Sequence, residues 1–178
     1  MHQYRIREIG IGRETPTEHA ASFMGEKYCN QSKTQEQLDQ EKVGIDYVIQ
    51  ELKKTGRGYV IRINYIFSPN DTAETLTQTL DEMDHYVGIA NDKVHIEIVF
   101  NLLTLFPGTA ISLRHTDIIR GGSYAPSNPF DQWDLERIKE LYPDSVFPDL
   151  AKDIFFSYEF NSPKYNPIIG KRIRTLIG

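Results

Sequence analysis

Apolar residues recur with a period of two, then nearer three and a half, then two again along the first hundred residues, and this alternation most constrains the fold. Residues 4–12 read as a short strand with Ile6, Ile9 and Ile11 and a glycine-rich end at Gly10 and Gly12. Thr15-Pro16-Thr17 offers a helix start before Ala20, Ala21, Phe23 and Met24. A longer helix is expected over 33–54, with Ser32 and Gln35 as a capping box, an apolar stripe at Leu38, Ile45, Val48, Ile49 and Leu52, and a stop at Gly56. Residues 58–67 form the strongest strand, and the loop Ser68-Pro69-Asn70-Asp71 ends in a cap. A helix over 72–87 carries Leu76, Leu80, Met83 and Val87 on one stripe, and a third strand covers 93–103. Strands alternating with helices at this spacing predict right-handed β-α-β units and a parallel sheet. The fold class is therefore α/β, in the form of a partial, half TIM-like barrel.

Beyond Gly121-Gly122 the pattern changes, with more proline and aromatic residues and no further strand. Asp131 is read as the cap of a helix bearing Leu135, Ile138 and Leu141 that Pro143 ends, and Asn166-Pro167 as the start of a last helix with Ile169, Ile173 and Leu176. Residues 1–120 are thus expected to form the partial barrel and 121–178 a mainly helical extension.

Composition narrows the function classes. The formal net charge of -5, from 20 basic and 25 acidic side chains, argues against a nucleic-acid surface. Lys171, Arg172 and Arg174 read as a solvated helix face. The single cysteine, Cys29, cannot form an internal disulfide, and no Cys/His cluster has zinc spacing. No apolar run approaches the roughly 20 residues that span a bilayer, and the N-terminus has no apolar signal region, so a cytoplasmic location is expected.

The strands themselves carry polar residues in phase. Along 58–67, Tyr59, Ile61, Ile63, Tyr65 and Phe67 share one face, and Val60, Arg62, Asn64 and Ile66 the other. Along 93–103, Val94, Ile96, Ile98, Phe100 and Leu102 oppose His95, Glu97, Val99 and Asn101. A parallel strand buried on both sides is apolar on both faces. If these strands are neighbours, Arg62, Asn64, His95, Glu97 and Asn101 form one polar wall lining a lumen or concave surface and facing substrate. An exposed sheet face, or an Arg62–Glu97 pair that merely satisfies itself, produces the same pattern.

Three segments resemble the second half of the radical S-adenosylmethionine (radical SAM) barrel, particularly the branch of cobalamin-binding enzymes and methylthiotransferases. Ile9-Gly10-Ile11-Gly12-Arg13-Glu14-Thr15, followed by Phe23-Met24-Gly25-Glu26-Lys27, is similar to the fourth strand, with its Gly-x-Glu-Ser-Gly-like turn and Met-Gly-Lys-type loop. The run Arg62 to Leu76 is similar to the fifth strand and its Gly-Leu-Pro-Gly-Glu-Thr-x-Glu-x-Leu continuation. Asn101-Leu102-Leu103-Thr104-Leu105-Phe106-Pro107-Gly108-Thr109 is similar to the Leu-x-Pro-Phe-Pro-Gly-Thr ending of the sixth. The resemblance covers about residues 4–113. It implies that Arg13, Glu14, Asn64, Ser68, Leu105 and Phe106 lie where strand ends approach S-adenosylmethionine, a location general to parallel α/β sheets.

It also implies a parent enzyme with a 4Fe–4S cluster, and leaves open whether that parent uses cobalamin. The Cys-x-x-x-Cys-x-x-Cys loop and the glycine-rich stretch of the second strand are absent from this chain, and the loop after 58–67 is a residue short, with Ser68-Pro69 in place of Gly-Leu-Pro. The resemblance therefore describes a fragment or truncated form that contributes cofactor and substrate surface but does not cleave the cofactor alone. Its partner would be the missing N-terminal half or a homodimer mate. A non-enzymatic half-barrel binding a small ligand or protein, and an unrelated α/β enzyme using His95 and Glu97, are the rival readings.

Overall fold

The computed structural model describes residues 7–25, 32–105, 109–120, 133–155 and 164–178. Strands β1 (Glu8–Glu14), β2 (Tyr59–Phe67) and β3 (Val94–Leu102) form a parallel sheet in the order β1-β2-β3. Between them lie α1 (Glu18–Met24) and α2 (Gln35–Lys54), then α3 (Ala73–Ile89). After β3 come α4 (Ala110–Arg114), a 3-10 turn at Thr116–Ile118, α5 (Leu135–Leu141), α6 (Phe147–Leu150) with a π-helical turn over Ala151–Phe155, and α7 (Pro167–Ile177). The chain is thus α/β, with the consecutive parallel units that the alternating periods predict.

Two-residue periodicity sorts the sheet into unlike faces. Ile61, Ile63, Tyr65 and Phe67 of β2 and Val94, Ile96, Ile98, Phe100 and Leu102 of β3 are buried in one core with Ile45 and Ile49 of α2 and Leu76, Leu80, Met83 and Tyr86 of α3. On the other face none of Val60, Arg62, Asn64, Ile66, His95, Glu97, Val99 and Asn101 is buried. The described helices therefore pack their apolar stripes against one side of the sheet.

The helix starts need two corrections and one qualification. The capping box of α2 is Thr34 with Gln37, two residues beyond the expected pair. Gln35 is held elsewhere: its Oε1 accepts from the Glu18 N–H at 3.1 Å and its Nε2 donates to Pro16 O at 3.0 Å, tying α1 to α2. α3 is capped by Thr72 and Thr75 rather than Asp71. The cap of α5 is Asp134, which accepts from the Arg137 N–H at 3.0 Å, while Asp131 lies outside the described residues. Thr17 and Asn166 cap α1 and α7 as the sequence suggests.

The described part of 121–178 belongs to the same core. Ile138, Phe147, Leu150, Ile154, Ile169 and Ile173 join the cluster around the sheet. The Tyr165 N–H donates to Ile98 O at 2.8 Å and Lys164 forms an antiparallel bridge with Val99, so this segment lies along the outer edge of β3. Trp133 donates its indole N–H to Leu103 O at 3.1 Å. No described helix is long and apolar enough to cross a membrane.

Candidate functional site

Parallel pairing sets Arg62 opposite Glu97, Val60 opposite His95 and Ile66 opposite Asn101. The structure thus brings Arg62, Asn64, His95, Glu97 and Asn101 to one face. Arg62 reaches Glu97 Oε2 from Nη2 at 3.1 Å and Glu8 Oε1 from Nη1 at 2.8 Å. Lys164, from the segment beside β3, donates to Glu97 Oε1 at 2.8 Å. A row of alternating charge, Glu8–Arg62–Glu97–Lys164, therefore crosses all three strands. The Lys164 and Arg62 hydrogen bonds hold the Glu97 carboxyl below its usual pKa. That makes Glu97 a stable anion and a weak general base.

Beside this row no described residue covers this face of the first strand. Gly10 lies opposite Arg62 and Gly12 opposite Asn64, and a Cβ at either glycine would meet nothing within 4 Å. Glycine within a strand commonly marks a place where a ligand or another backbone comes close. The Asn64 Nδ2 makes a long contact of 3.4 Å to Ile11 O.

The residues at the strand ends are placed differently. Arg13 is in phase with Ile9 and Ile11 and points to the helix side, where it is 1% exposed. Its Nε and Nη2 donate to the two Glu82 carboxylate oxygens at 2.7 and 3.0 Å, and its Nη1 donates to Glu41 at 3.2 Å. Tyr65 donates its hydroxyl to Glu82 Oε1 at 2.8 Å. Burial works to lower the Arg13 pKa, but the Glu82 hydrogen bond and charge outweigh it and the pKa is raised. Burial, reinforced by the Glu82 charge, raises the Tyr65 hydroxyl well above its ordinary value.

Glu14 follows at φ 65, a left-handed conformation that costs a residue with a side chain about 1–2 kcal/mol. The Thr15 N–H donates to Arg13 O at 2.9 Å, closing a three-residue γ-turn around it. Strain of this kind persists only where the surroundings enforce it. Here the bidentate Arg13–Glu82 pair immediately precedes the turn.

Ser68 is fully buried, with its hydroxyl donating to Asn70 Oδ1 at 2.7 Å. Its backbone N–H donates to Asp71 Oδ2 at 2.7 Å, and Thr75 donates its hydroxyl to Asp71 Oδ1 at 2.8 Å. Asn70 and His19 then join the loop to α1 through hydrogen bonds of 2.7 and 2.8 Å. Leu105 is 1% exposed, and Phe106 lies outside the described residues. Sequence reasoning passed over Glu82 and Lys164 and read Asp71 only as a helix cap. Glu82 carried a usable signal, because it falls near the buried stripe of Leu76, Thr79, Leu80, Met83 and Tyr86 on α3.

Burial, opposed by the hydrogen bonds from Ser68 and Thr75, leaves the Asp71 carboxyl raised above its ordinary value. A folded pKa above the unfolded one contributes stability below the unfolded pKa, and that contribution is lost as pH rises through the folded pKa. Asp71→Asn removes this dependence. The stability of the native chain relative to Asp71→Asn is therefore expected to fall as pH rises from below 4 towards neutrality, measured by urea unfolding across that range. A difference that grows with pH would contradict the assignment.

Comparison with protein-family models, curated proteins and solved structures found no match to this chain. Cys29, which lies outside the described residues, is the single cysteine of the sequence and cannot supply the three thiolates of a 4Fe–4S cluster. Among the described residues no group of three or more His, Cys, Asp and Glu is arranged to hold a metal ion. The cluster implied by the resemblance does not fit this chain.

Proposed function

We propose that the chain is a partial β/α barrel of the radical SAM type that contributes a ligand-facing wall and does not cleave S-adenosylmethionine on its own. One observation carries this reading: the exposed sheet face sets polar side chains beside bare backbone, with Arg62 next to Gly10 and Asn64 next to Gly12. A sheet face meant only for solvent has no need of two glycines in phase on one strand. Glycine there removes packing and adds backbone entropy to the unfolded chain. The resemblance of the strand ends supplies the ligand class, an adenosyl sulfonium compound.

The candidate contacts divide by burial. Arg13 and Ser68 are engaged in internal hydrogen bonds, which suits a role in shaping the strand ends. Asn64, at the Gly12 gap, is the side chain best disposed to meet a ligand. The rival enzyme using His95 and Glu97 is disfavoured by the two cations paired with Glu97.

The test is equilibrium dialysis of the whole chain against labelled S-adenosylmethionine. Saturable binding is expected, weakened about tenfold or more by Asn64→Leu, since a lost hydrogen bond that leaves a ligand group unpaired costs roughly 1–3 kcal/mol. No saturable binding by the native chain overturns the reading and favours the half-barrel that binds a protein partner.

A further inference from the structure

We infer that the outer edge of β1 is a homodimerisation edge, on which a second copy of the chain adds its own β1 antiparallel about a two-fold axis at Gly10. This does not rest on the ligand reading above. The Val60 N–H donates to Arg7 O at 2.7 Å, which sets the hydrogen-bonding phase of the β1–β2 ladder. Backbone groups alternate sides along a strand, so Arg7, Ile9 and Ile11 turn theirs to β2. Glu8, Gly10 and Gly12 turn theirs away from the sheet.

All three of these residues are exposed, and among the described residues no strand or bridge pairs with this edge. The opposite edge of the sheet, on β3, is met by Lys164 and Tyr165. Devices that normally blunt an edge, such as lysine, proline or an inward-pointing charge, are missing at positions 10 and 12, where glycine leaves the backbone uncovered.

A second copy fits because the edge is complementary to itself. A two-fold axis at Gly10 sets Gly10 opposite Gly10 of the partner subunit and Glu8 opposite Gly12 of the partner subunit. The outward-facing residues of each strand then meet one another as hydrogen-bonded pairs. Over Glu8–Gly12 no like charges face each other, and Glu8 keeps its 2.8 Å contact with Arg62; the flanking position sets Arg7 opposite Arg13 of the partner subunit, whose charge is already met by Glu82 of its own chain. On the helix side Ile9 meets Ile11 of the partner subunit in both directions. Both isoleucines are only half-buried at present, and such apolar cross-strand pairs stabilise a sheet. The γ-turn at Glu14 ends the pairing at one side.

The experiment is light scattering on the purified whole chain, with two variants. The native chain is expected at twice its 20.6 kDa mass. Gly10→Pro removes the central outward N–H without touching the β1–β2 ladder, and is expected to be monomeric with an unchanged far-ultraviolet circular dichroism spectrum. Gly10→Cys in a Cys29→Ser background is expected to form a disulfide-linked dimer on mild oxidation. Directly opposed Cα atoms in a hydrogen-bonded antiparallel pair lie about 5.5 Å apart, within disulfide range. If Gly10→Pro does not fold, the cysteine variant alone decides. A monomeric native chain, a dimer that survives folded Gly10→Pro, or a Gly10→Cys chain that does not cross-link overturns the inference.

Discussion

A chain ended at residue 120 is expected to lose its cooperative unfolding transition altogether. Such a truncation removes Trp133, Ile138, Phe147, Leu150, Ile154, Tyr165, Ile169 and Ile173, each no more than 7% exposed. Burying a large apolar side chain contributes roughly 1.5–3 kcal/mol. Eight of them together match or exceed the roughly 5–15 kcal/mol net stability of an ordinary domain. The lost residues also serve the sheet directly. Without Tyr165, Ile98 O loses its donor on the outer edge of β3, and Phe100 loses one of its ring neighbours, at 6.4 Å. Without Trp133, Leu103 O loses the indole N–H. Near-ultraviolet circular dichroism and a denaturant titration of the truncated chain provide the check. A sigmoidal transition with native-like aromatic signals would show that residues 7–120 hold the fold alone.

Glu82→Ala is expected to be the most damaging single substitution outside the apolar core. It strips both carboxylate oxygens from Arg13, which is 1% exposed, and removes the acceptor of the buried Tyr65 hydroxyl. Among the described residues Glu41, at 3.2 Å, is then the charge partner left to that guanidinium, and it is itself 36% exposed. Removing one member of a buried pair costs roughly 3–5 kcal/mol, because the other charge is left in a poorly solvating place. For a chain of this length that is a fall in Tm on the order of 10 °C. Arg62→Ala, on the exposed face, is expected to cost no more than about 1 kcal/mol, since water and salt screen its pairing. The double variant Arg13→Met with Glu82→Leu separates charge from packing: it is expected to be more stable than Glu82→Ala alone. Thermal unfolding of the four proteins compares them, and equal losses for Glu82→Ala and Arg62→Ala would contradict the argument.

Much of the architecture was readable because it depends on local periods. Alternation every two residues fixes which face a strand buries, and on sequence alone it separates Ile61, Ile63 and Tyr65 from Arg62 and Asn64. Partners across space were harder. Arg13 sits at a strand end, where a cofactor contact is reasonable, yet its phase with Ile9 and Ile11 sends it to the helices. Only the packing of α3 over β1 and β2 shows that Glu82 is waiting there. Ser68 likewise reads as an available hydroxyl, and the tight turn to Asp71 encloses it. The caps slipped by one to three residues because Thr34, Thr72 and Asp134 are each near another plausible capping residue, and tertiary contacts such as Gln35 with Glu18 choose among them. Lys164 could not be assigned to the polar row at all, since 67 residues of sequence separate it from Glu97.

The strand order β1-β2-β3 bears on how quickly the chain finds its structure. Each strand pairs with the one nearest in sequence, so the sheet grows without long-range strand crossovers, and contacts local in sequence favour fast folding. The longest exceptions join the C-terminal segment to α3 and β3 in the middle of the chain: Tyr165 to Asp84 and Ile98, and Arg174 to Asp81 and Asp84, with separations of up to 93 residues. These long closures carry the largest loop-closure cost, so they are expected to form late in folding. Until they form, the outer edge of β3 stands open, and the nascent sheet is exposed to mispairing for as long as α7 is undocked.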